Sequence, residues 1–103
     1  MKVLLCCKAG VTSNMFAAKL KDAAKEKDVE LTVWAAAETA VEYSISNADI
    51  VLVTPQLRSS LSKFEDLADV ETPVIMISDE DFTEFNAAKV LDEALAAKAA
   101  IAD

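Results

Sequence analysis

The sequence predicts an α/β domain: one four-stranded parallel sheet, in the order 2-1-3-4, with helices on both faces. Three observations carry this. Lys2–Cys7 (KVLLCC) and Asp49–Val53 (DIVLV) are strand-length runs whose continuous hydrophobicity suits strands buried on both faces. Segments with helical periodicity separate the strand-like segments, so β and α elements alternate along the chain. Crossovers between parallel strands are right-handed, which makes the two fully apolar strands the central pair.

Each element follows from its own pattern. After Lys2–Cys7, residues Ser13–Lys27 turn helical, with Phe16, Leu20, Ala23 and Ala24 on one face and Lys19, Lys21, Lys25 and Glu26 elsewhere. Val29–Ala35 alternates Val29, Leu31 and Val33 against Glu30, Thr32 and Trp34, the pattern of a strand near a sheet edge. Glu38–Ser46 makes a short helix, and Asp49–Thr54 returns as a central strand. Pro55 breaks that strand, and Leu57–Ala68 is helical. Pro73–Ile77 is a fourth strand, with proline at its start where a missing N–H is tolerated. Asn86 opens a last helix that runs to about Ile101, with Val90, Leu91, Ala94, Leu95 and Ile101 inward. Trp34 and Tyr43 are expected to pack in the core or at an edge. The acidic Ser78–Phe82 (SDEDF) is expected to be a solvated loop.

Composition bounds the chemistry. With 103 residues, 53% of them hydrophobic and 27% charged, residues 1–103 are expected to form one domain around one modest core. The N-terminal apolar run is shorter than that of a signal peptide, and no run approaches the ~18 residues of a membrane span. Two adjacent cysteines offer no disulfide framework, so a reducing cytoplasm is the expected location. The net charge of −8 argues against nucleic acid and anionic membrane surfaces as partners. There is no histidine. The usual general base of Ser/His and Cys/His enzymes is therefore missing, as is the commonest metal ligand, and neither a metal nor a cofactor is expected. Chemistry must run on a thiol, hydroxyls, carboxylates, lysines or backbone amides.

The topology says where to look. In such sheets a ligand crevice opens beyond the strand C-termini where the winding reverses, here between the first and third strands. The segments emerging there are CKAGVTSN (Cys7–Asn14) and TPQLR (Thr54–Arg58). A strand–loop–helix with Gly10 in the loop and Ser13 or Asn14 as the helix cap presents several N–H groups to one point, and the helix dipole adds positive potential. Cys7 ends the strand with its sulfur at the loop's mouth, where amides and dipole favour a thiolate. Cys6 faces the opposite side of the strand and reads as a small buried hydrophobe. Cys7 alone reads either as another buried cysteine or as a nucleophile inside an anion cradle. A low-molecular-weight phosphatase would need C-x5-R-[ST], but Ser13 stands at the arginine position. A thioredoxin-like role would need C-x-x-C, which the adjacent pair does not supply.

LLCCKAGVTSN resembles the start of the lactose/cellobiose-type enzyme IIB of the bacterial phosphoenolpyruvate-dependent sugar phosphotransferase system, in which a strand ends in C-S-A-G-M-[ST]-[ST]-S. Cys7, Ala9, Gly10, Thr12 and Ser13 match, while Lys8, Val11 and Asn14 differ. NADIVLVTPQLR and PVIMISDEDFTEFNAAKVL are similar to later segments of that family, so the likeness covers nearly the whole chain. It implies a flavodoxin-like or tyrosine-phosphatase-like three-layer fold and a phosphocysteine at Cys7, cradled by Lys8, Ala9, Gly10, Val11, Thr12, Ser13 and Asn14. It also implies a phosphohistidine donor on a IIA component and a sugar acceptor on the membrane IIC component, with the sugar a β-linked disaccharide such as cellobiose, chitobiose or lactose. A monomer without membrane insertion is expected.

The sequence departs from the family pattern at Thr54 and Ala87, where glycine is usual, at Ser78, where aspartate is, and at Phe82-Thr83, where Tyr-Gly is. Gln56 and Arg58 on the second loop could approach the phosphoryl group or a partner, or could simply cap a helix and meet solvent. Mannose-type IIB components use histidine and are excluded. Galactitol- and ascorbate-type components usually read C-G-x-G in the loop and stay as the nearer alternative. A non-catalytic flavodoxin-like interaction domain is the other.

Overall fold

The computed structural model describes residues 1–8 and 11–102, and among residues 11–13 and at residue 102 it describes the backbone alone. Four strands, β1 (Lys2–Cys7), β2 (Thr32–Ala37), β3 (Ile50–Val53) and β4 (Val74–Met76), form a parallel sheet in the order β2-β1-β3-β4. The predicted order is observed. Helices α1 (Val11–Glu26) and α5 (Ala87–Ala102) cover one face. The other carries the short α2 (Val41–Ser44), with 3-10 turns at Glu38–Ala40 and Ile45–Asn47, and α3 (Leu61–Leu67).

Strand alternation distributes the core. Val3 and Leu5 of β1 and Ile50 and Leu52 of β3 pack beneath Phe16 and Leu20 of α1 and Val90, Leu91 and Ala94 of α5. Leu4, Cys6, Val51 and Val53 point the other way, onto Val41, Ile45, Leu57 and Phe64. Apolar residues at consecutive positions are thus needed on both faces, and that is why β1 and β3 read as unbroken runs.

Several boundaries differ from expectation for physical reasons. The second strand starts at Thr32 rather than Val29, because α1 ends in a Schellman turn. Val29 N donates to Ala24 O at 2.9 Å and Asp28 N to Lys25 O at 3.2 Å, with Asp28 left-handed at φ 61°. Val29 then packs on the core as the hydrophobic partner of that turn. The helix expected at Leu57 begins as a 3-10 segment, Pro55–Ser60, with a break at Leu57 (φ −107°, ψ 22°), and becomes α-helical at Leu61. Tyr43 is 77% exposed and does not pack, whereas Trp34 does lie against the α2–α3 side of the core. Ile101, near the end of α5, is also exposed.

The acidic SDEDF segment is a helix, α4 (Asp79–Thr83), not a solvated loop. Ser78 caps it by accepting from Asp81 N at 3.1 Å, and three acidic residues occupy the first turn, where the helix dipole favours them. Phe82 is buried, with its ring centroid 5.4 Å from that of Phe16. Asp81 is buried as well. Its Oδ1 accepts from Asn86 Nδ2 at 3.0 Å and from Lys89 Nζ at 3.3 Å, and its carbonyl accepts from Asn86 N at 2.9 Å. These bonds set the angle at which α5 leaves the corner. Phe85 there adopts φ 55°, costly for a bulky residue, with its ring 6.3 Å from Phe16 and beneath the Lys19 ammonium at 5.9 Å.

Candidate functional site

The site is built at the C-terminal rim of the sheet, where β1 and β3 end side by side and the winding reverses. Cys6 pairs with Val53 on one side and Ala36 on the other, and its side chain is fully buried on the α2–α3 face. Burial pushes its thiol up to about 12, with the neighbouring Cys7 adding a smaller contribution in the same direction. Cys6 is therefore neutral at physiological pH, as the sequence suggested.

Cys7, one residue on, turns to the opposite side and is 4% exposed. Its Sγ donates to Ala36 O at 3.6 Å. This contact belongs to the protonated thiol, because a thiolate has no hydrogen to donate and would meet a carbonyl oxygen. Both cysteines are free.

Lys8 is exposed at the start of the connection to α1. Ala9 and Gly10 lie outside the described residues, as do the side chains of Val11, Thr12 and Ser13. Helix α1 begins at Val11, so Ser13 and Asn14 stand inside its first turn rather than at the expected cap. Asn14 is exposed, and no acidic residue occupies that turn. The N-terminal end of a 16-residue helix thus faces the rim with its dipole uncompensated by its own side chains.

On the second loop, Gln56 is exposed and Arg58 is engaged. The Arg58 Nη2 meets Asp79 Oδ2 at 2.8 Å and its Nε donates to Pro55 O at 3.3 Å, so the guanidinium joins the loop after β3 to the start of α4. Ser60 similarly donates to Glu38 at the end of β2. The rim loops are tied to one another by side chains far apart in sequence.

Thr54 was visible in the sequence only as a departure from a glycine pattern. It continues β3 with extended backbone (φ −70°, ψ 154°), and its N donates to Cys6 O at 3.1 Å. Val53 shares the Cys6 face, so the alternation carries the Thr54 side chain to the face that Cys7 also turns toward. Thr54 is fully buried, and its Oγ1 has no hydrogen-bond partner among the described residues.

A concavity of about 450 Å³ lies at the opposite end of the sheet, lined by Met1, Lys21, Lys25, Glu30 and Thr32 among others. It is remote from Cys7. No group of three or more Cys, Asp or Glu side chains among the described residues could hold a metal ion. None of the described helices is long and apolar enough to cross a membrane.

The family model described as "PTS system, Lactose/Cellobiose specific IIB subunit" matches residues 2–93. The chain belongs to this family. The IIB-family chain is 31% identical over 77 residues to the oligo-beta-mannoside-specific EIIB component of the phosphotransferase system of Bacillus subtilis (strain 168), covering 72% of this chain and 75% of that one. Among solved structures, it resembles the cellobiose-specific IIB component of Borrelia burgdorferi with a TM-score of 0.76 and 32% identity, over 94% of this chain and 90% of the other. The lactose-specific IIB domain of Streptococcus pneumoniae superposes with a TM-score of 0.81 over 92% and 94% of the two chains. At 20% identity, that likeness concerns the flavodoxin-like fold alone.

Proposed function

We propose that this IIB-family domain carries a phosphoryl group on Cys7 between a IIA phosphohistidine and a sugar held by a membrane IIC component. Family membership supports a sugar phosphotransferase role. The single observation that carries the finer reading is the position of Cys7: the last residue of β1, at the winding reversal, before a helix that starts at Val11. In the first transfer the Cys7 thiol releases its proton to solvent, the thiolate attacks phosphorus, the S–P bond forms, and the N–P bond breaks with its electron pair returning to the donor imidazole. In the second, a sugar hydroxyl attacks, the O–P bond forms as its proton leaves to solvent, and the S–P pair returns to sulfur.

The chain's part is positioning and charge stabilisation. Backbone N–H groups of residues 8–14 and the N-terminal end of α1 receive the phosphoryl oxygens. With Ser13 where a phosphatase has its clamping arginine, water is not assisted, and the phosphocysteine persists until it is handed on. Gln56 and Arg58 are proposed to serve the loop and its partner face rather than the phosphoryl group, because Arg58 is already held by Asp79. The family model is described for lactose and cellobiose, and the two relatives above 30% identity are named for cellobiose and oligo-beta-mannoside, so a β-linked disaccharide or short oligosaccharide is the proposed sugar class. A cytoplasmic monomer suits a shuttle between a soluble donor and a membrane acceptor.

Intact-mass measurement with a phosphoenolpyruvate-driven IIA donor tests the reading. One phosphoryl group is expected on wild type and on Cys6→Ser, and none on Cys7→Ser, whose folding should be little altered. Loss of the adduct in Cys6→Ser alone would reverse the roles of the two thiols. No adduct on the wild type would leave an interaction domain.

A further inference from the structure

We propose that the Thr54 hydroxyl is a donor held in reserve for the phosphoryl group on Cys7; this rests on the phosphocarrier reading above. Thr54 is fully buried, and its Oγ1 is the buried side-chain polar atom left without a partner among the described residues. Such atoms are uncommon in native interiors, because a hydroxyl removed from water without a replacement bond destabilises the fold. Asp81, the other buried polar side chain among the described residues, has Asn86 and Lys89 on the same carboxylate oxygen.

Thr54 also lies on the strand next to the one that ends in Cys7. Cys6 pairs with Val53, and the Thr54 N–H donates to Cys6 O, so Cys7 and Thr54 are the next positions along adjoining strands. Both side chains turn to the same face at the rim. The Cys7 sulfur donates toward β2, to Ala36 O, and leaves the β3 side of the rim to Thr54.

Before phosphorus joins sulfur the Cys7 thiol gives its proton to solvent, and the Ala36 bond is lost with it. The phosphoryl oxygens become strong acceptors, and the Thr54 O–H can donate to one of them. The Thr54 proton stays on its own oxygen, since a hydrogen bond forms there and no covalent bond changes at Thr54. The hydroxyl is idle in the free protein and engaged in the phosphoprotein, so it favours the charged form selectively.

Thr54→Val keeps the shape and removes the donor; Thr54→Ser keeps the donor. The ratio of phosphorylated to free protein at equilibrium with a phosphorylated IIA donor should fall about ten-fold in Thr54→Val and return toward wild type in Thr54→Ser. The ³¹P resonance of the phosphocysteine should move in Thr54→Val. The thermal midpoint of the unphosphorylated Thr54→Val should equal or exceed that of wild type, because an unpaired buried hydroxyl has been deleted. An unchanged ratio in Thr54→Val, with Cys7 phosphorylated normally, overturns this inference and leaves the phosphocarrier reading standing. A lowered midpoint, restored in Thr54→Ser with the ratio unchanged, also overturns it by assigning the hydroxyl to the fold. A wild-type protein that accepts nothing on Cys7 overturns both.

Discussion

Two buried polar side chains, Asp81 and Thr54, sit in opposite circumstances. Asp81, at the corner leading into α5, is saturated: Asn86 and Lys89 donate to its carboxylate, and Ser78 receives its N–H. Thr54, at the rim beside Cys7, has nothing to bond among the described residues. The first arrangement is what a fold needs to hold a corner in one geometry. The second gains nothing for the resting fold and makes sense where a charged group arrives and departs. On the proposed phosphocarrier reading, the contrast separates what holds the molecule together from what receives the phosphoryl group.

The largest expected effect tests the corner as a structural device. Phe82 is buried against Phe16, and truncating a buried phenylalanine leaves a cavity that collapses only in part. Phe82→Ala should cost about 3 kcal/mol of unfolding free energy, read as a lower urea midpoint. Phosphoryl acceptance by the folded fraction should be unchanged. If acceptance fails while the protein is still fully folded, the corner belongs to the site and the contrast with the rim collapses.

Asp81 sharpens the same point through pH. The Asn86 hydrogen bond first, and then the Lys89 hydrogen bond and charge, outweigh burial and hold its carboxyl below the usual range. A carboxyl lowered in the folded state stabilises fully above the unfolded value of about 4, and that contribution is lost as the pH falls below it. Asp81→Asn should therefore melt below wild type at pH 7, with the gap closing in acid as the pH falls from the unfolded carboxyl value through the lowered folded one. Lys89 is raised by the same pair, so its share is present below the usual lysine value and lost only in strong alkali. A gap that stays constant as the solution is acidified to the point where carboxyls are protonated would mean that the carboxylate charge contributes nothing.

A smaller effect distinguishes the two faces of β1. Cys6→Ser places a hydroxyl among Leu4, Val53 and Phe64, which offer no acceptor, and should cost about 1–2 kcal/mol by urea unfolding. The phosphorylated fraction should stay near wild type. A destabilised variant that also loses transfer would show that packing behind Cys7 sets its position.

Much of this was legible in the sequence, and the gaps have physical causes. The strand order followed from two runs, Lys2–Cys7 and Asp49–Val53, whose burial on both faces leaves no polar alternation. Cys7 stood out because the topology sends the end of the first strand to the crevice. The start of β2 was displaced because Asp28, not a glycine, takes the left-handed position that ends α1. Helix α4 was hidden by its own charge: Asp79, Glu80 and Asp81 look solvated until Ser78 is seen to cap them and Phe82 to anchor them. The isolation of the Thr54 hydroxyl was not legible, because a missing partner is a property of every element packed around it. The Arg58–Asp79 pair joins residues 21 apart, beyond any local pattern.

That pair gives the smallest expected effect and the finest test. The Arg58 and Asp79 side chains are 59% and 74% exposed, so solvent and salt screen their attraction despite the 2.8 Å contact. Arg58→Ala should change unfolding free energy by no more than about 0.5 kcal/mol, well below either the Phe82 or the Cys6 substitution. The phosphoryl equilibrium probed with Thr54→Val should not move in Arg58→Ala, since a guanidinium bound to Asp79 and Pro55 is already committed. The rate of transfer from the IIA donor is a separate quantity, because a partner meeting this rim would meet Arg58 and Gln56 on its surface. A slower transfer at unchanged equilibrium and stability would place Arg58 on the docking face. A shifted equilibrium would instead bring it to the phosphoryl group, and the rim would then hold two donors, one of them a cation, where Thr54 Oγ1 is the buried side-chain polar atom without a partner among the described residues.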